Sequence, residues 1–181
     1  MCIRDRNMAD LNGKKIAIIS TNGFEDSELT SPKEAVEAAG ATTAVIAPET
    51  GEITGKNGTA VKVDLTTADA NAADYDAPIL PGGTGNADAI RVDAPAVALV
   101  KEFKAADKAI GVICHGGWIL TDADLLKGVK LTSVANVKTD LVNAGANWVD
   151  EEVVVDSGFI SSRTPADLEA FNAALVEEFA K

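Results

Sequence analysis

Cys114 and His115 stand side by side where an apolar run ends, in Ala109-Ile110-Gly111-Val112-Ile113-Cys114-His115-Gly116-Gly117-Trp118. His115 is the one histidine of the chain, and Cys114 is one of two cysteines, the other being Cys2. A strand that stops in a thiol, an imidazole and two glycines has the layout of a nucleophile on a sharp strand-to-helix turn, although Val112 stands where many such elbows carry glycine. A thiol attacks only as thiolate, so its free pKa of about 8.5 must come down for work at neutral pH. A helix beginning near Gly116 would offer partial positive charge and free backbone donors for that purpose. The plainer reading of Cys114 is a small buried hydrophobe, and that of His115 a partly buried polar group. Their adjacency at a glycine-rich strand end favours chemistry, with His115 as the only available imidazole base.

Two other loops carry groups that could serve such a thiol. Glu25, between Phe24 and Asp26, is expected beside the elbow, where a carboxyl in a partly apolar setting keeps its proton and can donate a hydrogen bond to a thiolate. The alternative is a surface acid. Gly82-Gly83 follows an apolar strand, so its amides, with that of His115, could form an oxyanion hole; a plain glycine turn is the alternative. A base such as His115 needs an orienting carboxylate. Asp88 and Asp26 are the candidates by loop, each of which could instead be a solvated acid or a helix cap.

Composition narrows the function classes. The 181 residues are 46% apolar and 24% charged with six prolines, enough for one well-buried core, expected as a single domain over residues 9–181. A net charge of −12, spread along the chain, argues against nucleic acid and membrane surfaces as partners. No run approaches the roughly 18 apolar residues of a transmembrane helix. Residues 1–8 are polar and end at a second methionine, so they read as an extension outside the fold and not as a secretory signal. The single remaining thiol fits a reducing cytoplasm. Glycine-rich nucleotide motifs are absent and zinc lacks its usual ligand set, so no cofactor and no metal is implied.

The elements that must position these residues alternate. Short buried strands are expected at 15–20, 42–47, 75–80 and 109–113, with a hairpin over 51–63 turning at Asn57-Gly58. A helix is expected over 28–39, capped by Ser27 and stopped by Gly40, with others over 94–106, a short one ending at 140–144, and a closing one over 167–179 capped by Asp167 or Thr164. Further strands are expected at 130–134, 153–155 and 159–161. This order implies an α/β fold, a doubly wound, mostly parallel sheet with helices on both faces. Ligands of such sheets bind beyond the carboxyl ends of the strands, which is where the three loops should meet.

The chain resembles the ThiJ/PfpI superfamily, closest to its PfpI-type intracellular peptidase and general stress protein branch. The resemblance runs from Lys14 to Phe179. It rests on Phe24-Glu25-Asp26-Ser27-Glu28-Leu29, Leu80-Pro81-Gly82-Gly83, Ile113-Cys114-His115-Gly116, Asn143-Ala144-Gly145-Ala146, Glu152-Val153-Val154-Val155-Asp156 and Ser161-Ser162-Arg163-Thr164-Pro165. It implies the flavodoxin-like, class I glutamine amidotransferase-like fold. It also implies Cys114 as the reactive cysteine, Glu25 as the glutamate that bonds its sulfur, His115 as the neighbouring histidine and the amides of Gly83 and His115 as the anion-binding pair. An acid from a partner subunit orients the histidine in this branch. The resemblance assigns that part to Asp88 and so implies a homo-oligomer, a dimer or larger. Gly116, Gly117, Trp118 and Arg163 would form the pocket wall, with Gly117-Trp118 replacing the proline and polar residue of many relatives.

By the same resemblance the expected activity is a cysteine-dependent, stress-protective one on reactive carbonyls such as methylglyoxal or glyoxal and their early protein adducts. The alternatives are an intracellular cysteine peptidase and, outside enzymology, a cysteine-oxidation sensor or chaperone-like stress protein. Glutamine amidotransferase activity is rejected, because it requires a histidine far downstream of the cysteine and none follows His115.

Overall fold

A computed structural model describes residues 10–181; the expected extension over residues 1–8, and Cys2 with it, lies outside the described residues. Strand β1 (Lys15–Ile19) shows how the core is made. After the exposed Lys15 it is apolar throughout and alternates between two packing layers: Ile16 and Ile18 join Leu29, Val36, Phe171 and Leu175, while Ala17 and Ile19 join Leu99, Val100, Phe103 and Leu120. A strand covered on both faces has no need of polar residues. Each such isoleucine or leucine contributes roughly 1.5–3 kcal/mol by leaving water.

The main sheet contains β10 (Val154–Asp156), β11 (Phe159–Ser162), β7 (Ile110–Ile113), β6 (Ala77–Leu80), β1, β2 (Thr42–Ala47) and β5 (Leu65–Thr66), in that order. Every neighbouring pair is parallel except β10 with β11. Helices α1 (Asp26–Ala38) and α6 (Leu168–Phe179) pack together on one face. The other face carries α3 (Ala94–Ala105), with the short α2 (Thr84–Ile90) and α4 (Trp118–Asp122) close by. The chain leaves β1 toward β2 and later returns on its other side to β6. The crevice of this doubly wound sheet therefore opens between β1 and β6.

Several elements differ from expectation. Helix α1 begins at Asp26, two residues earlier than expected, with Glu25 at its cap position and no side-chain cap. Ser27 lies inside the helix. The strand expected at 130–134 is only β8 (Lys130–Leu131), which pairs with β9 (Asn147–Trp148) in a separate two-stranded sheet, and α5 spans Lys138–Asn143. Asp167 does not cap α6 with its side chain; its carboxylate accepts from the Arg163 amide at 3.0 Å and from the guanidinium at 2.8 and 3.0 Å. Short strands such as β5 and β9 carry too few residues for a periodic pattern.

The hairpin of β3 (Glu52–Thr54) and β4 (Ala60–Lys62) forms as expected. It is tied to the loop after β1: Gly23 N donates to Thr54 O at 2.8 Å and Lys56 N to Phe24 O at 2.9 Å. The Asp26 carboxylate accepts from Asn57 N at 3.0 Å and Thr59 N at 2.9 Å. These bonds hold its carboxyl below the usual carboxylate value, the Thr59 hydroxyl contributing most. Replacing Asp26 with alanine should free the hairpin tip and speed tryptic cleavage after Lys56 about tenfold. Unchanged cleavage in Asp26→Ala would show that the backbone bonds alone hold the hairpin.

Candidate functional site

The three expected loops converge at the carboxyl ends of β1, β6 and β7. Asn86, buried on α2, ties two of them: its side-chain amide donates to Pro81 O and Gly82 O, both at 3.1 Å, and its oxygen accepts from Thr21 N at 2.7 Å. Cys114 then follows β7 with a φ of 63°, left-handed backbone that a side chain rarely adopts. Such a conformation costs about 1 kcal/mol or more and persists where packing enforces it, which is how an elbow aims its nucleophile. The expected helix after it is a single 3₁₀ turn, Cys114–Gly117, leading into the five-residue α4.

The acid against the sulfur is Glu28, not Glu25. Glu28 is fully buried, and its Oε1 accepts from Gly82 N at 3.0 Å. A side chain on Gly82 would fall on the Glu28 carboxyl and the Cys114 Cβ, so glycine there is what lets acid and thiol meet. Glu25 lies at the helix cap position and turns outward, where its Oε1 pairs with Lys56 Nζ at 2.7 Å. The early start of α1 is the cause: it places Glu28 in the first turn, one turn past Glu25 and facing inward. The Gly82 amide is thereby committed to Glu28 and is not part of an anion hole.

Burial pushes the Glu28 carboxyl up to about 7, and the Glu25 carboxylate adds to the shift. Burial likewise pushes the Cys114 thiol up to about 12, with the Glu28 carboxylate second; the amides of His115 and Gly83 pull it down. The expectation that a helix terminus lowers this thiol is thus reversed, because burial beside an acid outweighs one short turn of amides. The two groups titrate as a pair. Protonating Glu28 removes the charge that opposes the thiolate and leaves an O–H able to stabilise it.

His115 presents Nδ1 to Cys114 Sγ at 3.3 Å and Nε2 to the Thr84 hydroxyl at 3.3 Å. Burial holds its pKa below the ordinary 6.5, and Lys56 adds to that. Trp118 meets the imidazole edge-on, centroids 5.5 Å apart, and is itself held by Asp140 at 2.8 Å and covered by Arg91. Asp88 is exposed on α2, and within this chain the polar partner of Nε2 is Thr84. Asp26 serves the hairpin and not the imidazole. Arg163 is occupied by Asp167 and Asp150. Gly116 and Gly117 lie in the elbow turn as expected.

The amides that reach the sulfur are those of Gly83 and His115. Strand end, strained thiol, paired imidazole and buried acid together make a candidate nucleophile site. The family model of the DJ-1/PfpI family matches residues 14–178. The chain belongs to the DJ-1/PfpI family. Among its relatives in this family, an uncharacterized protein of Staphylococcus saprophyticus is 50% identical over 168 residues, covering 91% of this chain and 97% of the relative. A Bacillus subtilis protein named "Putative cysteine protease YraA" is 47% identical over 160 residues, covering 88% and 94%. Among solved structures, the chain superposes with a TM-score of 0.88 on an Anabaena variabilis protein with DJ-1/ThiJ/PfpI-like and ferritin-like domains, at 34% identity, covering 91% of this chain and 49% of that one. A ThiJ/PfpI domain protein of Brachyspira murdochii gives 0.86 at 26% identity, covering 92% and 95%.

Four site residues escaped the sequence reading as functional: Glu28, Lys56, Thr84 and Asn86. Only Glu28 left a usable signal there, as the second glutamate of Phe24-Glu25-Asp26-Ser27-Glu28. The other three gain their meaning from contacts with residues 30 or more positions away or across a turn.

Proposed function

We propose that this protein uses Cys114 to attack small reactive aldehydes that carry an adjacent carbonyl, methylglyoxal and glyoxal being the type substrates, in the reducing cytoplasm where a lone thiol persists. The observation that carries this reading is the thiol itself: strained into the cleft, 3.3 Å from an imidazole nitrogen, yet held protonated by burial and Glu28. His115 can take that proton as Sγ attacks, and an activated aldehyde is an electrophile that needs no leaving group. As Sγ bonds to the aldehyde carbon, its proton passes to His115 Nδ1 and on to the carbonyl oxygen, giving a hemithioacetal. The amides of Gly83 and His115 are placed to hold the developing negative charge.

A proton shift from the former aldehyde carbon to the neighbouring carbonyl carbon then oxidises the first and reduces the second, with no outside oxidant. The product is a thioester of a 2-hydroxy acid. Water adds to it, the carbon–sulfur bond breaks, and the thiol is restored. The net change is aldehyde plus water to hydroxy acid. Cys114→Ala should abolish lactate formation from methylglyoxal, measured on purified protein; turnover equal to wild type would sink the proposal.

A second reading, cysteine peptidase activity, draws on the name of the Bacillus subtilis relative. A fluorogenic peptide assay on size-separated fractions, wild type beside Cys114→Ala, distinguishes it. Thiol-dependent cleavage without lactate formation would favour the peptidase.

A further inference from the structure

We propose that Asn86 is the positioning residue of the Cys114 cleft: its buried side-chain amide grips the carbonyls of Pro81 and Gly82 and so aims the backbone N–H groups of Gly82 and Gly83 at Glu28 and at the sulfur. The inference deepens the reading of Cys114 as nucleophile and rests on it.

Two planar peptide units are held from behind. Asn86 Nδ2 donates to Pro81 O and to Gly82 O, each at 3.1 Å. In a trans peptide the C=O and the N–H point in opposite directions, so a fixed carbonyl fixes the amide on the far side of the plane. The unit that carries Pro81 O also carries Gly82 N, which donates to Glu28 Oε1 at 3.0 Å. The unit that carries Gly82 O also carries Gly83 N, which reaches the sulfur. The turn lies directly against the nucleophile, since a Cβ on Gly82 would fall 2.7 Å from the Cys114 Cβ. A donor on each carbonyl polarises its peptide unit and strengthens the bond that the N–H makes.

Asparagine is the side chain that this place requires. Thr21 N can only donate, at 2.7 Å to Oδ1, and the two carbonyls can only accept. One acceptor and two donors on a short side chain are therefore needed, and the same partners settle which end of the amide is oxygen. Through Thr21 the amide also ties in the loop that leads from β1 into α1, where Glu28 lies. Asn86 is 1% exposed, and all three of its bonds are made within one chain.

Iodoacetamide alkylation of the native protein at about pH 8 separates positioning from a merely structural role, because thiolate is the reacting form. It is read on the peptide bearing Cys114, so that Cys2 does not contribute. A loss of stability alone exposes the thiol and leaves labelling unchanged or faster. Loss of the Gly83 amide from the thiolate should slow it about tenfold, the scale of one hydrogen bond to a charged group. Asn86→Asp keeps an oxygen for Thr21 N and removes both donors; Asn86→Ala removes them without adding a charge. Both should be slow in this way, whereas Leu99→Ala, a core change in α3, should label at least as fast as wild type. Labelling of folded Asn86→Ala at or above the wild-type rate overturns the proposal.

The wild-type protein provides a test that needs no variant to fold. The Asn86 Nδ2 hydrogens should exchange with solvent about tenfold or more slowly than those of the exposed Asn57, and equal rates overturn the proposal as well. Lactate formation from methylglyoxal is followed separately. Its absence in wild type counts against the proposed substrate, and a wild-type Cys114 that resists alkylation counts against the nucleophile; in either case the exchange rates still decide whether Asn86 holds the two carbonyls.

Discussion

Glu28→Gln should make the protein more stable than wild type at pH 8 by about 3 kcal/mol, and by only about 1 kcal/mol at pH 5. The Glu28 carboxyl is raised from an ordinary 4.5 to about 7 by burial first and by Glu25 second. The folded state therefore binds this proton more tightly than the unfolded chain does. That preference adds stability present in full below about pH 4.5 and lost as the pH climbs through about 7, where the folded protein must hold a buried charge. Glutamine keeps an oxygen for the Gly82 amide, 3.0 Å from the present Oε1, and never ionises. Urea unfolding of both proteins at the two pH values measures the difference. An equal gap at pH 5 and pH 8 would show that Glu28 does not titrate in this range. The same substitution removes the carboxylate that raises Cys114, so iodoacetamide should react faster at pH 7 even as turnover falls. A stability gain coupled to lost function is what a strained site leads one to expect.

Gly83→Ala should be the most damaging single methyl in the molecule, lowering stability by about 3 kcal/mol or more and removing most Cys114 reactivity. At φ 92° a side chain is strained whatever the space around it. Here there is no space either: a Cβ would land on Glu25 N, Gly23 O and the Phe24 carbonyl carbon, all backbone and unable to swing aside. Relief requires the loops after β1 and β6 to separate, which withdraws the Gly83 amide from the sulfur and shifts the start of α2 with Thr84. Gly85→Ala is the matched control, since its Cβ would meet nothing nearer than 3.7 Å and its φ is ordinary. Comparable losses in both variants would mean that general packing around α2, and not the Gly83 turn, is responsible.

Which glutamate serves the thiol illustrates what a sequence carries and what it does not. Phe24-Glu25-Asp26-Ser27-Glu28 offers two, and their roles depend on where a helix starts. Local signals favoured Ser27 as a cap, which leaves Glu25 in a loop beside the elbow. The actual start at Asp26 is accompanied by bonds from Asn57 and Thr59 to its carboxylate, partners more than 30 residues away. No local pattern encodes a contact of that range. Once the helix begins there, Glu25 faces the hairpin and Lys56, and Glu28 faces Cys114.

By itself the sequence determined the architecture and the place where a thiol and an imidazole meet at a strand end. Uninterrupted apolar strands alternating with helices require a parallel sheet covered on both faces, and loops with glycine, thiol and imidazole at strand ends must gather where such a sheet binds ligands. Those features are local in the chain, periodic or compositional, and so survive without coordinates. The tertiary structure alone decided which acid meets the sulfur, which way the thiol's pKa moves and which groups of this chain the imidazole touches. Each of these depends on burial and on distances of a few ångströms between segments far apart in the chain. Cys114 lies among buried groups beside Glu28, with Thr84 across His115, because β1, β6 and β7 end side by side.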